Sequence, residues 1–203
     1  MGLLARFLET KSPEEKLWEW FEGHEEYLIQ LMEKGETLND YDQERLDLLM
    51  KRVSPFLDYF FNPPNQSRGW RLVFTVGGKV DAFPAIEALM AVPHQLEHCE
   101  ALGFSPPMEE LTSVTLSSSE HTFELLAKDL SFQVQQEPQV LVNVYVPDTL
   151  IDHNATDSVL QFLFEYLGEH QFGLLADRLN LVSASNGEGE DLKPLVELRK
   201  GLG

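Results

Sequence analysis

Hydrophobic positions change period several times along the chain, and those changes divide it into elements. Ser12-Pro13-Glu14-Glu15 has the form of a helix start, with Ser12 as cap, Pro13 in the first turn and Glu15 at the capping-box position. Leu17, Trp20, Phe21, His24, Leu28 and Leu31 then recur mostly three or four residues apart, which predicts one helical face. Gly35 is the predicted stop. A second helix is predicted from Asn39 or Asp40, with Leu46, Leu49, Met50 and Val53 as its stripe and Pro55 just beyond it. Residues 1–55 thus read as a helical hairpin.

Beyond Pro55 the period falls to two. Phe56–Phe61 is aromatic-rich, and Trp70–Val76 is a predicted strand turned by Gly77-Gly78. Asp81–Val92 returns to helical spacing through Phe83, Ile86, Leu89 and Met90. Cys99–Phe104, Thr112–Leu116, Leu130–Val134 and Val140–Val146 are predicted strands, the last two an antiparallel pair. Thr156–Gly168 is a helix with Val159, Leu160, Leu163, Phe164 and Leu167 inward. Leu179–Ala184 is a strand, and Leu192–Leu198 a short closing helix. The strands follow one another without regular helical crossovers. The expectation is therefore one α+β domain over 1–203, an N-terminal helical hairpin followed by a mainly antiparallel sheet with helices packed on it.

Several of these segments resemble an uncharacterised bacterial protein family with no known activity. The residues are Trp18-Glu19-Trp20-Phe21-Glu22-Gly23-His24-Glu25, the strand ending at Gly78, Phe83-Pro84-Ala85-Ile86-Glu87-Ala88-Leu89, Leu167-Gly168-Glu169 and Leu192–Leu195. His24 stands where the family has Asn, and Ser105-Pro106 where it has Arg-Pro. The resemblance implies the order of elements and a bacterial source, and implies nothing about chemistry.

Charge changes the picture more than composition does. Of 203 residues 43% are apolar, enough for a core, while 34 acidic against 15 basic side chains leave a net charge of −19. The imbalance is local. Residues 1–79 hold 14 acidic and 10 basic side chains, whereas residues 80–190 hold 18 acidic side chains against Lys128 and Arg178 alone. Such a chain is unsuited to nucleic-acid backbones or anionic membrane surfaces, so neither is an expected partner. A single cysteine, Cys99, allows no intrachain disulfide and points to a reducing, cytoplasmic setting. The opening Met1–Arg6 is too short in its apolar run for a signal peptide.

No chemical motif is complete. His94-Gln95-Leu96-Glu97-His98 places two histidines four apart, as a zinc site on a helix would, but Gln95 stands where a zincin needs its Glu. A polar loop is the plainer reading of His94 and His98. Ser117–His121 holds hydrolase residue types without the geometry of a triad, and reads as a capped helix start at Ser119. Gly77-Gly78-Lys79 lacks phosphate-loop spacing, and no dinucleotide fingerprint occurs. No cofactor is therefore expected. His24 reads as a core histidine hydrogen-bonded to backbone or carboxylate. Trp18 falls off the helical stripe and is a candidate docking aromatic.

What remains is acidity concentrated at Asp148, Asp152, Asp157, Glu165 and Glu169, in one loop–helix segment. The expected function is a non-catalytic binding module, immunity- or antitoxin-like or an adaptor, that docks a basic protein through these residues and Trp18. Two alternatives stand beside it. One is a small metal-dependent hydrolase using His94 and His98. The other is a housekeeping protein whose acidity serves only solubility.

Overall fold

A computed structural model describes residues 11–64, 69–108, 111–117, 122–135, 140–152, 155–187 and 191–201. Helix α1 runs Pro13–Lys34, opened by the predicted capping box: Ser12 Oγ accepts from Glu15 N at 3.2 Å, and Ser12 N donates to Glu15 Oε2 at 2.6 Å. Gly35 closes it at φ 66°, a left-handed conformation that glycine adopts without a Cβ clash. Helix α2, Asp40–Val53, is capped by Asn39, whose Oδ1 accepts from Asp42 N at 3.0 Å.

Strands β1 (Asp58–Asn62) and β2 (Trp70–Thr75) pair antiparallel. Helix α3 (Phe83–Ala91) then carries the chain back to β3 (Cys99–Gly103), which lies parallel to β2. This is a helical crossover between parallel strands. Leu17, Trp18, Phe21, Leu28, Phe74, Ile86 and Leu89 are buried in one core shared by helices and sheet. Phe104 ends β3 at φ 69°, with its N–H on the Phe74 carbonyl at 2.9 Å and its ring 4.8 Å from that of Phe83.

The chain divides into two compact units, Met1–Ser105 and Pro106–Gly203. The second opens with a hairpin, β4 (Ser113–Ser117) and β5 (Thr122–Leu126), paired antiparallel. β5 stands where a helix start at Ser119 was expected; Ser119 itself lies outside the described residues. Strands β6 (Ser131–Gln135) and β7 (Leu141–Val146) form the predicted antiparallel pair. Helices α4 (Asp148–Asp152), α5 (Thr156–Leu167) and α6 (Glu169–Ala176) follow, and then β8 (Leu179–Ser183), parallel to β7. The two-residue strand β9 (Lys193–Pro194) joins β6, and α7 (Leu195–Gly201) closes the unit. Sheet order is β8-β7-β6-β9, with β4-β5 a separate pair.

The fold is α+β with mostly antiparallel pairing, as the periodicities imply. The core of the second unit is built on Val142, Val144 and Val146 of β7, Val159, Phe162, Leu163 and Tyr166 of α5, and Leu195 and Leu198 of α7. Gly168, between α5 and α6, has φ 82°, and a Cβ there would meet Pro107 Cδ and N at 2.8 Å. Both facts restrict the position to glycine. Among the described residues no helix is long and apolar enough to cross a membrane.

Candidate partner-docking groove

Helix α5 is amphipathic. Its apolar positions Val159, Phe162, Leu163, Tyr166 and Leu167 are buried, and this turns Asp157, Gln161 and Glu165, at i, i+4 and i+8, onto one outer stripe. Gln161 Nε2 donates to Glu165 Oε1 at 2.8 Å, which orders the middle of the stripe. An open groove of about 310 Å³ runs between this stripe and β4, lined by Val114 and Thr115 on the strand and Asp157, Gln161, Phe162 and Glu165 on the helix. Among the described residues neither carboxylate has a cationic partner; the one ion pair there joins Lys11 to Glu19. Arg199 is occupied elsewhere: Nη1 donates to the Met108 carbonyl at 3.3 Å, and the guanidinium lies 5.2 Å from the Tyr166 ring centre. Residues 106–203 hold 16 acidic and 5 basic side chains, so the field around the groove is negative.

The other acidic candidates separate from this pair. Asp148 starts α4, and its Oδ1 accepts from Ser183 Oγ and, at 3.2 Å, from Ser185 N. The Ser183 hydroxyl, then the Ser185 amide, hold its carboxyl below the usual range. It ties the end of β8 to the start of α4. Glu169 is fully buried at the first turn of α6, away from any exposed face. Asp152 closes α4, and its side chain lies outside the described residues.

Trp18 is a core residue. It is 1% exposed, its Nε1–H donates to the Leu89 carbonyl at 2.8 Å, and its ring stacks on His94 at 3.8 Å between centres and 7° between planes. His94 Nδ1 lies 2.8 Å from the Val92 carbonyl oxygen. His94 and His98 sit on an irregular loop between α3 and β3, so they share no helical face. Among the described residues no group of three or more His, Cys, Asp or Glu side chains is placed to hold a metal ion. His24 is half-buried, with Nδ1 2.7 Å from the Trp20 carbonyl oxygen.

What holds the histidine loop is Glu25. Its Oε1 accepts from the backbone N–H of His98 and of Cys99, and its Oε2 from that of Glu97, all at 2.8 Å. Glu22 adds a fourth bond, from Gln95 N at 2.7 Å. Burial raises the Glu25 pKa, but the three amides outweigh it and hold the carboxyl below its ordinary value. Burial first, then the Glu25 charge, pushes the Cys99 thiol up to about 12. The sequence marks Glu25 only weakly: it lies between Phe21 and Leu28 on α1, and the burial that makes a carboxylate need fixed donors there emerges with the fold. No known family model, curated protein or solved structure matches the chain.

Proposed function

We propose that the protein is a non-catalytic binding module that docks a basic partner protein, in the manner of an immunity protein or an adaptor, through the acidic groove between β4 and α5. The observation that carries this reading is the pair Asp157 and Glu165, lining a groove with no cation against them among the described residues. Opposite charge on a partner would speed encounter and select orientation. Supporting it, the sequence holds no complete catalytic motif, and Asp148 and Glu169 are taken up by the fold itself. The docking residues of the proposal are accordingly Asp157 and Glu165.

The test is capture on immobilised protein from the source cell, eluted at rising salt. Exposed charge pairs weaken as ionic strength rises and the screening length falls to about 8 Å at 0.15 M. A basic protein retained at low salt and released below about 0.3 M is expected. Retention of neutral or acidic proteins only, or of none, would count against the reading.

A further inference from the structure

The groove has one wall made of strand edge. Val114 and Thr115 are consecutive, so their side chains leave β4 on opposite faces. A groove lined by both opens at the edge of the strand, and among the described residues no β5 side chain lines it. Among the described residues β4 pairs with β5 alone, so this edge has no strand beside it. The register identifies which backbone groups it offers. Ala127 N donates to the Thr112 carbonyl at 2.8 Å, which makes 112 and 127 a hydrogen-bonded pair. Alternation then turns Val114 toward Leu125, and leaves the N–H and C=O of Ser113, Thr115 and Ser117 directed outward.

On the helix side of the groove the two carboxylates have a fixed spacing. Asp157 and Glu165 are eight residues apart, about 12 Å along a helix rising 1.5 Å per residue. In an extended chain the side chains of residues i and i+4 share a face and stand about 13 Å apart. The midpoint, i+2, falls opposite Gln161.

We propose that the groove takes an extended basic segment of the partner, added as a strand to β4, with Lys or Arg at i and i+4 meeting Asp157 and Glu165 and a polar residue between them. This rests on the basic-partner reading and specifies how the partner is held. The ladder to Ser113 and Thr115 supplies sequence-independent affinity, and the two carboxylates select charge and spacing. An unpaired edge beside a negative helix is also protected against self-association, because a second copy would bring like charge to it.

The probe is a labelled peptide, Thr-Arg-Thr-Thr-Thr-Arg-Thr, whose anisotropy is read on titration with the full chain. Three comparisons accompany it: an isomer with the second arginine moved one place, so that the two lie on opposite faces; a version N-methylated at the ladder amides; and the variants Asp157→Asn and Glu165→Gln, both isosteric and on the surface. Weakening of about three- to tenfold in each comparison is expected, since each removes one or two hydrogen bonds or ion pairs. Amide shifts confined to 113–117 and α5 would support the same placement. Equal binding of the parent and N-methylated peptides, or of wild type and both variants, overturns strand addition while leaving a basic partner admissible. Absence of binding by this peptide and by every basic protein tried overturns the docking mode and the function it rests on together.

Discussion

Replacing Glu25 by Gln keeps the side chain's shape and removes its charge. In the wild type one oxygen holds the His98 and Cys99 amides and the other holds Glu97, each at 2.8 Å. The glutamine can keep its oxygen on His98 and Cys99, but its NH₂ then faces the Glu97 N–H, donor against donor. Leaving one buried amide unsatisfied costs about 1–3 kcal/mol, and two bonds to a charged acceptor become ordinary ones at a loss of about 1 kcal/mol each. Relief of the carboxylate's desolvation offsets part of this. The expected net loss is about 2 kcal/mol, roughly a 1 M fall in the urea midpoint at the slope of a small unit. All three tryptophans, Trp18, Trp20 and Trp70, lie in Met1–Ser105, so intrinsic fluorescence reports this unit. The pH dependence has a fixed sign. Glu25 titrates lower in the folded protein than in the unfolded chain, so its stabilisation is complete above the unfolded value of about 4.3 and is lost as pH falls through the folded one. The gap between wild type and variant should be full at pH 7 and narrow as the pH falls below about 4.3. Equal midpoints at pH 7, or a gap that does not change with pH, would refute the amide-clamp argument.

Other outcomes follow from the same geometry. With its thiol pushed up to about 12, Cys99 should react with a disulfide reagent at pH 8 about fiftyfold more slowly than an unhindered cysteine until urea unfolds the chain, the far smaller thiolate fraction being partly offset by the greater nucleophilicity of a more basic thiolate. Glu169→Lys, at a fully buried position, should cost about 3 kcal/mol or more by far-ultraviolet dichroism, whereas Asp157→Lys should stay within about 0.5 kcal/mol. Trp18→Phe removes the bond to the Leu89 carbonyl and the stacked surface over His94, and should lower stability by about 2 kcal/mol in urea melts followed by the remaining tryptophans.

The sequence was most legible where local chemistry and tertiary packing agree. Ser12 and Glu15 form their capping box within four residues, so no distant contact can change it. The alternation in β7 survives for a similar reason: it buries Val142, Val144 and Val146, the face its pattern marks, whereas in β6 Phe132 is buried and Val134 is exposed. Trp18 was hidden because α1 is covered by both sheet and α3, which buries a wider arc than one stripe of apolar residues indicates. Helix α6 was hidden by Gly168, which reads as a terminus and in fact bends the chain directly from one helix into the next. The two parallel pairings, β2 with β3 and β7 with β8, depend on where helices return the chain, and periodicity does not encode that.

The candidate site was legible in its charges and illegible in its walls. Asp157 and Glu165 stood out as acids on a helix that lacks basic residues. Sequence distance alone does not bring residues 114 and 115 beside residues 157–165, so the groove emerges only with the fold. The same fold removes Glu169 from the surface and ties Asp148 to Ser183 and Ser185.

The proposed docking rests on Asp157 and Glu165 together recognising a basic partner. Its most direct test is the calorimetric affinity of the captured partner for wild type and for the D157N/E165Q double variant, at 50 mM salt. Binding weakened at least about tenfold, with most of the salt dependence gone, is expected. Equal affinities and equal salt dependence for the two proteins would contradict it.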